Sequence, residues 1–300
     1  MRCLTALFIL FQTGFLCAQN PGEYDWWTEI HHWDGHTSWV QYMTISTSYM
    51  GPNALPVPEI KTGQLSDEAQ LEQLAGYQFF KGDKTKDLFS RVYVPLHSNK
   101  VGLELYVVPL EYFQTDTATR DTRAARTRSG KGFAGGDIYF STQISLLRDK
   151  LHWPDISLEF AFRTASGTRL RDARYSDGPG YFVDLSFGKN IDLNKEKEIT
   201  LRPFLMGGIY VYQTYDLQHL QNDAPLYGAG LEFNSKKFTI SQQVGGYSGY
   251  LDIGDQPMVY RAIFKYKNKF VDWKLWYQWG VRDFPYQGIR AGLVLHRKMK

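Results

Sequence analysis

Cysteine is almost absent. The 300-residue chain has two, Cys3 and Cys17, and both fall in a stretch that reads as a secretory signal. Arg2 gives it a positive start, Leu4 to Leu16 form an apolar run broken only by Gln12, Thr13 and Gly14, and Cys17-Ala18 precede Gln19. With cleavage after Ala18 the mature chain carries no thiol. That excludes disulfide scaffolding, thiol redox chemistry, cysteine-bound zinc and cysteine nucleophiles. Long apolar runs are missing too: the signal run is too short to span a bilayer, and no later stretch approaches 18 continuous apolar residues, which excludes helical membrane spans. Charge is sparse and balanced, at 22% of residues and a net +3, too weak to argue for a nucleic-acid partner. No solenoid-period repeat is visible. A nucleophile elbow, a zinc-protease helix and a phosphate-binding Gly-rich loop are likewise absent, and no cofactor is implied.

Rings and alternation are plentiful. Aromatics reach 16%, with 8 Trp, 20 Tyr and 19 Phe, too many for a disordered chain. Ile156, Leu158, Phe160 and Phe162 alternate with Ser157, Glu159, Ala161 and Arg163. Tyr181, Val183, Leu185 and Phe187 alternate with Phe182, Asp184 and Ser186. A period of two with one apolar and one polar face is a half-buried strand. Twelve such segments are predicted, at 39–50, 89–97, 101–113, 136–148, 155–164, 179–188, 198–213, 225–234, 237–247, 258–266, 269–280 and 287–297. One helix is predicted, from Ser66 to Gly76, in a Glu- and Gln-rich run. Trp39, Tyr49, Tyr210, Tyr212, Tyr266 and Trp279 sit near strand ends, where interfacial girdles are expected.

The connections carry the decisive pattern. Those at 51–88, 114–135, 165–178, 214–224, 248–257 and 281–286 mostly exceed their neighbours at 98–100, 149–154, 189–197, 235–236 and 267–268. A soluble sandwich has no reason to gather its long loops at one end. A membrane barrel does, with short turns on one side and long loops on the other. On the signal, the alternation and this loop parity, residues 39–297 resemble the outer-membrane β-barrel proteins of Gram-negative bacteria. One feature departs from that pattern: the chain ends His296-Arg297-Lys298-Met299-Lys300, not on an aromatic residue. The resemblance implies an all-β, up-and-down antiparallel barrel of about 12 strands. It also implies a site in the outer membrane and contact with membrane lipid, including lipopolysaccharide. Residues 19–38 are expected to form a periplasmic or interfacial segment.

Facing the apolar sides outward assigns the interior. It would hold Arg91, Arg163, Arg202, Arg261, Lys265, Lys274 and Arg290 against Glu104, Asp137, Glu159, Asp184, Glu232 and Asp272, seven positive and six negative. Such balance is unlike a pore ringed by one sign. Barrels of about eight strands are filled by side chains and those of 16–18 stay open, so twelve allows either a filled interior or a narrow channel. Arg120, Arg123, Arg126, Arg128 and Lys131 make one outer loop basic, suited to phosphate groups or an anionic solute. Arg169, Arg171 and Arg174, with Asp172 and Asp177, suggest a second loop folded on itself by ion pairs. The connection at 51–88 caps the mouth, folds inward as a plug or meets a partner. His31, His32, Asp34 and His36 have metal-ligand residue types, but the Trp26, Trp27, Trp33 and Trp39 around them favour an interfacial segment. His97-Ser98-Asn99 has hydrolase residue types, but consecutive residues in a turn do not form a triad. The leading expectation is a narrow channel for small polar or anionic solutes. The alternative is a non-conducting scaffold that docks another outer-membrane or surface protein, and the third is a surface hydrolase.

Overall fold

The structure, a computed structural model, describes residues 22–96 and 100–298. It has two compact units, one up to Thr37 and one from Ser38 to Lys300. The proposed signal lies outside the described residues. In the first unit α1 (Asp25–His31) buries Trp27, and Trp33 Nε1 donates to the Thr37 carbonyl at 2.7 Å.

The second unit is a closed sheet. Its strands are β1 (Glu68–Phe80), β2 (Asp83–Leu96), β3 (Val101–Thr115), β4 (Lys131–Ala134), β5 (Tyr139–Leu147), β6 (Asp155–Arg163), β7 (Gly180–Gly188), β8 (Ile191–Asn194), β9 (Ile199–Gln213), β10 (Gln221–Asn234), β11 (Phe238–Tyr247), β12 (Met258–Tyr266), β13 (Val271–Arg282) and β14 (Gln287–Lys298). Twelve of them follow one another around the wall, each antiparallel to the next, and β1 pairs with β14 from Glu68↔Lys298 to Phe79↔Gln287. No edge is left unpaired around the ring. The short β4 and β8 lie outside it, against β3 and β9. Connections at 116–138, 164–179, 214–220, 248–257 and 283–286 gather at one end, which we term the loop end. The first of these contains α2 (Thr117–Thr122), capped by the Asp116 carboxylate on the Thr119 N–H. The opposite turn end carries 148–154, 189–198, 235–237 and 267–270.

Alternation decides which way each side chain points. In β7 Leu185 is 37% exposed on the outside, while its neighbours Asp184 and Ser186 are buried inside. Leu71, Leu103, Phe140, Phe160, Leu205, Leu231, Val244, Phe264 and Leu275 continue the apolar exterior around the wall. Tyr266 and Trp279 join it. Tyr210 and Tyr212 do not: both are 1% exposed and point inward. They share the parity of Arg202 on the same strand, so the period that places Arg202 inside places them there also.

Two sequence expectations fail together, and their errors cancel in the strand count. Residues 39–50 form no strand; a 3-10 turn at Trp39–Tyr42 leads into irregular chain. The predicted helix at 66–76 is instead the first part of β1. Its Glu, Gln, Leu and Ala have good helix propensity, but Glu72, Leu74 and Gln78 alternate inward against outward Leu71, Ala75 and Phe79. Pairing with strands on both sides overrides the local preference. β2 begins at Asp83, ahead of the expected 89. Its first inward residues, Asp83, Thr85 and Asp87, are polar and the outward Lys84 and Lys86 are polar too, so no apolar alternation marked it. The long connection expected at 51–88 therefore becomes two things, an inner segment and the β1–β2 hairpin.

The outward register makes a direct prediction. Leu185→Arg is expected to cost about 2–4 kcal/mol in denaturant unfolding from lipid vesicles if the residue lies near the bilayer midplane. Leu185→Met, similar in volume and apolar, is expected to stay under about 1.5 kcal/mol.

Candidate functional site: an occupied lumen

Residues 43–67 run through the inside of the barrel without joining the sheet. Ser46 Oγ donates to the Ile253 carbonyl at 2.8 Å, and the Gly51 N–H to Ala173 at 2.8 Å, which fixes the start of the run at the loop end. Gly63 marks the turn end. Its φ is +80°, and a Cβ there would come within 2.8 Å of the Asp155 carbonyl and 2.9 Å of the Gly188 nitrogen. Only glycine accommodates both demands. Between these points Pro52, Pro56 and Pro58 keep the chain extended. Met50, Leu55, Val57, Ile60 and Leu65 are buried.

The wall holds this segment in two ways. Its main-chain carbonyls accept hydrogen bonds from inward side chains: Arg163 Nη1 to Ala54 (2.6 Å), Tyr247 to Leu55 (3.2 Å), Arg261 to Val57 and Pro58 (2.5 and 2.8 Å), and Arg202 Nε to Thr62 (3.0 Å). Its polar side chains meet complementary groups. Lys61 Nζ lies 3.0 Å from Glu104 and 3.8 Å from Glu159, and Glu59 pairs with Arg91. Asn53 uses its whole amide: Nδ2 donates to Asp87 (3.1 Å) and Glu111 (2.7 Å), and Oδ1 accepts from Gln78 and Arg290, each at 2.8 Å. An amide has two donor hydrogens and two acceptor lone pairs, so none is left over.

The thirteen interior candidates fall on the inward side. Lys274 reaches Glu72 at 2.8 Å, Arg290 reaches Asp87 at 2.8 Å, and Arg202 reaches Asp155 at 2.8 Å. Asp137 accepts the Gly167 N–H at 2.6 Å, Asp272 that of Asn268 at 3.0 Å, and Glu232 the Asn234 amide at 2.6 Å. Lys265 is half-buried on the same face of β12. Glu159 and Asp184 are cross-strand neighbours. Ser141 donates to Glu159 and Ser186 to Asp184, while one oxygen of each carboxylate is buried without a partner.

Five inward acids escaped the sequence reading: Glu72, Asp83, Asp87, Glu111 and Asp155, all buried. Glu72, Asp83 and Asp87 lie where β1 and β2 were misread. Glu111 was hidden by a bulge: β2 and β3 shift register between Leu88↔Leu110 and Ser90↔Val107. Beyond it β3 turns odd-numbered residues inward, where Glu104 is even. One extra residue flips every later side chain, and Val107-Val108-Pro109 was the available signal. These acids are matched in part by cations from outside the strands: Lys61 at Glu104, and Arg123 and Arg174 at Asp83 and Glu111.

The arginine-rich loops close over the mouth. Arg123 and Arg174 are buried and converge on Asp83 at 2.7 and 2.6 Å, and Arg174 also reaches Glu111 at 2.7 Å. The Tyr286 hydroxyl donates to Asp83 at 2.7 Å, and Arg174 lies over the Phe113 ring at 4.8 Å. Arg120 pairs with Asp121, and Arg126 stacks on Trp39. Arg169 donates to the Phe133 carbonyl and lies 3.7 Å from Asp172, whose carboxyl is raised by burial against the pull of Thr127 and the nearby arginines. Of the seven loop arginines, Arg128, Arg169 and Arg171 are the ones exposed to solvent. Inside is a cavity of about 100 Å³, lined by residues that include Asn53, Glu59, Arg91, Tyr139, Glu159 and Arg261.

The histidine cluster assembles no metal centre. Asp34 accepts from the Thr37 hydroxyl and from the N–H groups of His36 and Thr37, bonds that lower its pKa to about 2. Among the described residues no group of three or more His, Cys, Asp or Glu is placed to hold a metal ion. His97-Ser98-Asn99 lies outside the described residues.

An apolar exterior, a charged interior and complete strand closure define a transmembrane β-barrel. Solved structures of similar architecture are outer-membrane barrels. The KdgM porin in complex with disordered oligogalacturonate is 12% identical, with 74% of this chain and 98% of that one covered at a TM-score of 0.44. An outer-membrane channel from Pseudomonas putida F1 is 11% identical, with 82% and 97% covered at 0.48. The translocator domain of the autotransporter NalP from Neisseria meningitidis is 11% identical, with 80% and 90% covered at 0.43. No family model and no curated protein matches the sequence. The closure of this barrel rests on its own strand pairing and borrows nothing from these likenesses.

The mouth clamp is testable by unfolding. Asp83→Ala leaves two buried guanidinium groups without their shared partner and is expected to cost about 3–5 kcal/mol. Arg128→Ala, on the exposed surface, is expected to stay within about 0.5 kcal/mol.

Proposed function

We propose that this chain is an outer-membrane barrel that passes small polar solutes along its lumen and is closed at rest by residues 43–67. The observation that carries the reading is the way the interior is filled. The wall alone does not fill it; a single covalently tethered segment does, held by hydrogen bonds and ion pairs. Withdrawing that segment opens a polar passage lined by Arg91, Glu104, Glu159, Arg163, Asp184, Arg202, Arg261 and Lys274. Arg128, Arg169 and Arg171 remain as the contacts for phosphate groups of lipopolysaccharide at the loop end.

The closed mouth and the small residual cavity favour one second reading, a non-conducting barrel that docks another outer-membrane protein. Planar-bilayer recording separates the two. The wild-type barrel is expected to be mostly silent. Arg261→Ala, which removes the donors to Val57 and Pro58, is expected to raise the open time while the barrel stays folded. A folded Arg261→Ala barrel as silent as the wild type supports the docking reading instead.

A further inference from the structure

Among the described residues, no main-chain N–H or carbonyl from Leu55 to Ser66 pairs with another main-chain group. The wall instead supplies side-chain donors to five of the carbonyls from Ala54 to Thr62, and the match is chemical as well as steric. The wall offers guanidinium and phenol donors, and the segment offers a row of acceptors at Ala54, Leu55, Val57, Pro58 and Thr62. Pro58 contributes a carbonyl, and neither Pro56 nor Pro58 brings an N–H that would need an acceptor among those donors. They also hold the chain extended before it binds, which lowers the entropy lost on ordering. Arginine has five donors and no acceptor, so a lumen gripping this segment through Arg163, Arg202 and Arg261 is built for main-chain oxygen.

Side chains then set register. Ile60 lies against Gly228 on β10 and Gly245 on β11, where an added Cβ would stand 2.5 and 2.8 Å from its Cδ1. Lys61 enters the Glu104–Glu159 pair next to it, and Glu59 meets Arg91. An ion or a small sugar offers no comparable row of carbonyls followed by a branched aliphatic group and an ammonium. A stretch of extended polypeptide does.

We propose that the lumen is a binding site for an extended, proline-containing polypeptide. Residues 43–66 are its resident ligand, and the barrel takes the same segment from solution in trans once the resident copy is withdrawn. This rests on the displacement of the inner segment proposed above.

The test uses the full chain with a protease site inserted between Asp67 and Glu68, at the turn end. The folded barrel is cleaved in detergent, the released fragment is washed away, and folding is followed by heat-modifiable migration. A fluorescent peptide of residues 43–66 is then titrated in and followed by anisotropy. Saturable binding is expected, competed by unlabelled peptide but not by a scrambled one. It is expected to weaken about tenfold or more with Arg261→Ala in the barrel, and to vanish with Ile60→Arg in the peptide. Tyr247→Phe, which removes one hydroxyl, gives a smaller loss and serves if Arg261→Ala fails to fold. A fragment that leaves only when the barrel unfolds overturns the proposal, because the segment is then part of the fold. Equal binding of the scrambled peptide overturns it as well. An emptied, folded barrel that conducts without rebinding the peptide overturns this proposal and leaves the channel reading standing. One that rebinds the peptide but never conducts does the reverse.

Discussion

An extended chain inside a closed sheet has no neighbouring strand to satisfy its main chain. Every carbonyl it carries must find a donor on the wall or remain unpaired away from bulk water, at about 1–3 kcal/mol each. Most of the interior follows from this. Arg163, Arg202 and Arg261 come from three different strands, and each donates to the inner segment. These arginines in turn need company. Arg202 has Asp155 and Asn190, and Arg261 has Gln278. Arg163 leans on the segment itself: its Nη1 bond to Ala54 is the one hydrogen bond its side chain makes among the described residues, and its Nε and Nη2 are buried without one.

The same constraint explains the sides of the wall. Closure pairs the backbone of all twelve strands, which is what an apolar surround demands of any sheet that crosses it. The exterior is then largely apolar, while most of the charge on the strands faces inside. At the loop end the two arginine-bearing loops complete the enclosure by burying Arg123 and Arg174 on Asp83. Arg123 and Arg174 are spent on the mouth itself, while Arg128, Arg169 and Arg171 face solution. Filling by a tethered segment rather than by wall side chains makes the closed state conditional, because its contacts are non-covalent and its one covalent continuation into the wall lies at β1.

Much of this was legible in the sequence, and the misses have physical causes. The period of two gave the barrel, most of its strands and the inward side of Arg163, Glu159, Asp184 and Arg202. Helix propensity over 66–76 concealed β1, because Glu72 and Gln78 face a polar interior and break no apolar pattern. The bulge near Leu88 reversed parity in β3 and hid Glu111. Tyr210 and Tyr212 were assigned by their position near a strand end, when parity with Arg202 already placed them inside. The inner segment was the hardest to read. It has no periodicity because its order comes from the wall, and only Pro52, Pro56 and Pro58 marked it as stiff and extended.

The central claim is that residues 43–67 occupy the lumen of the folded protein. Thiol labelling tests it most directly, in a chain with Cys3 and Cys17 replaced by serine and Val57→Cys introduced. Val57 is 3% exposed. A membrane-impermeant maleimide is therefore expected to label that position far more slowly than a cysteine placed at exposed Asp177, and to reach it once the barrel is unfolded. Labelling of the folded protein at the rate of the exposed site would contradict the account, because the lumen would then stand open without its segment.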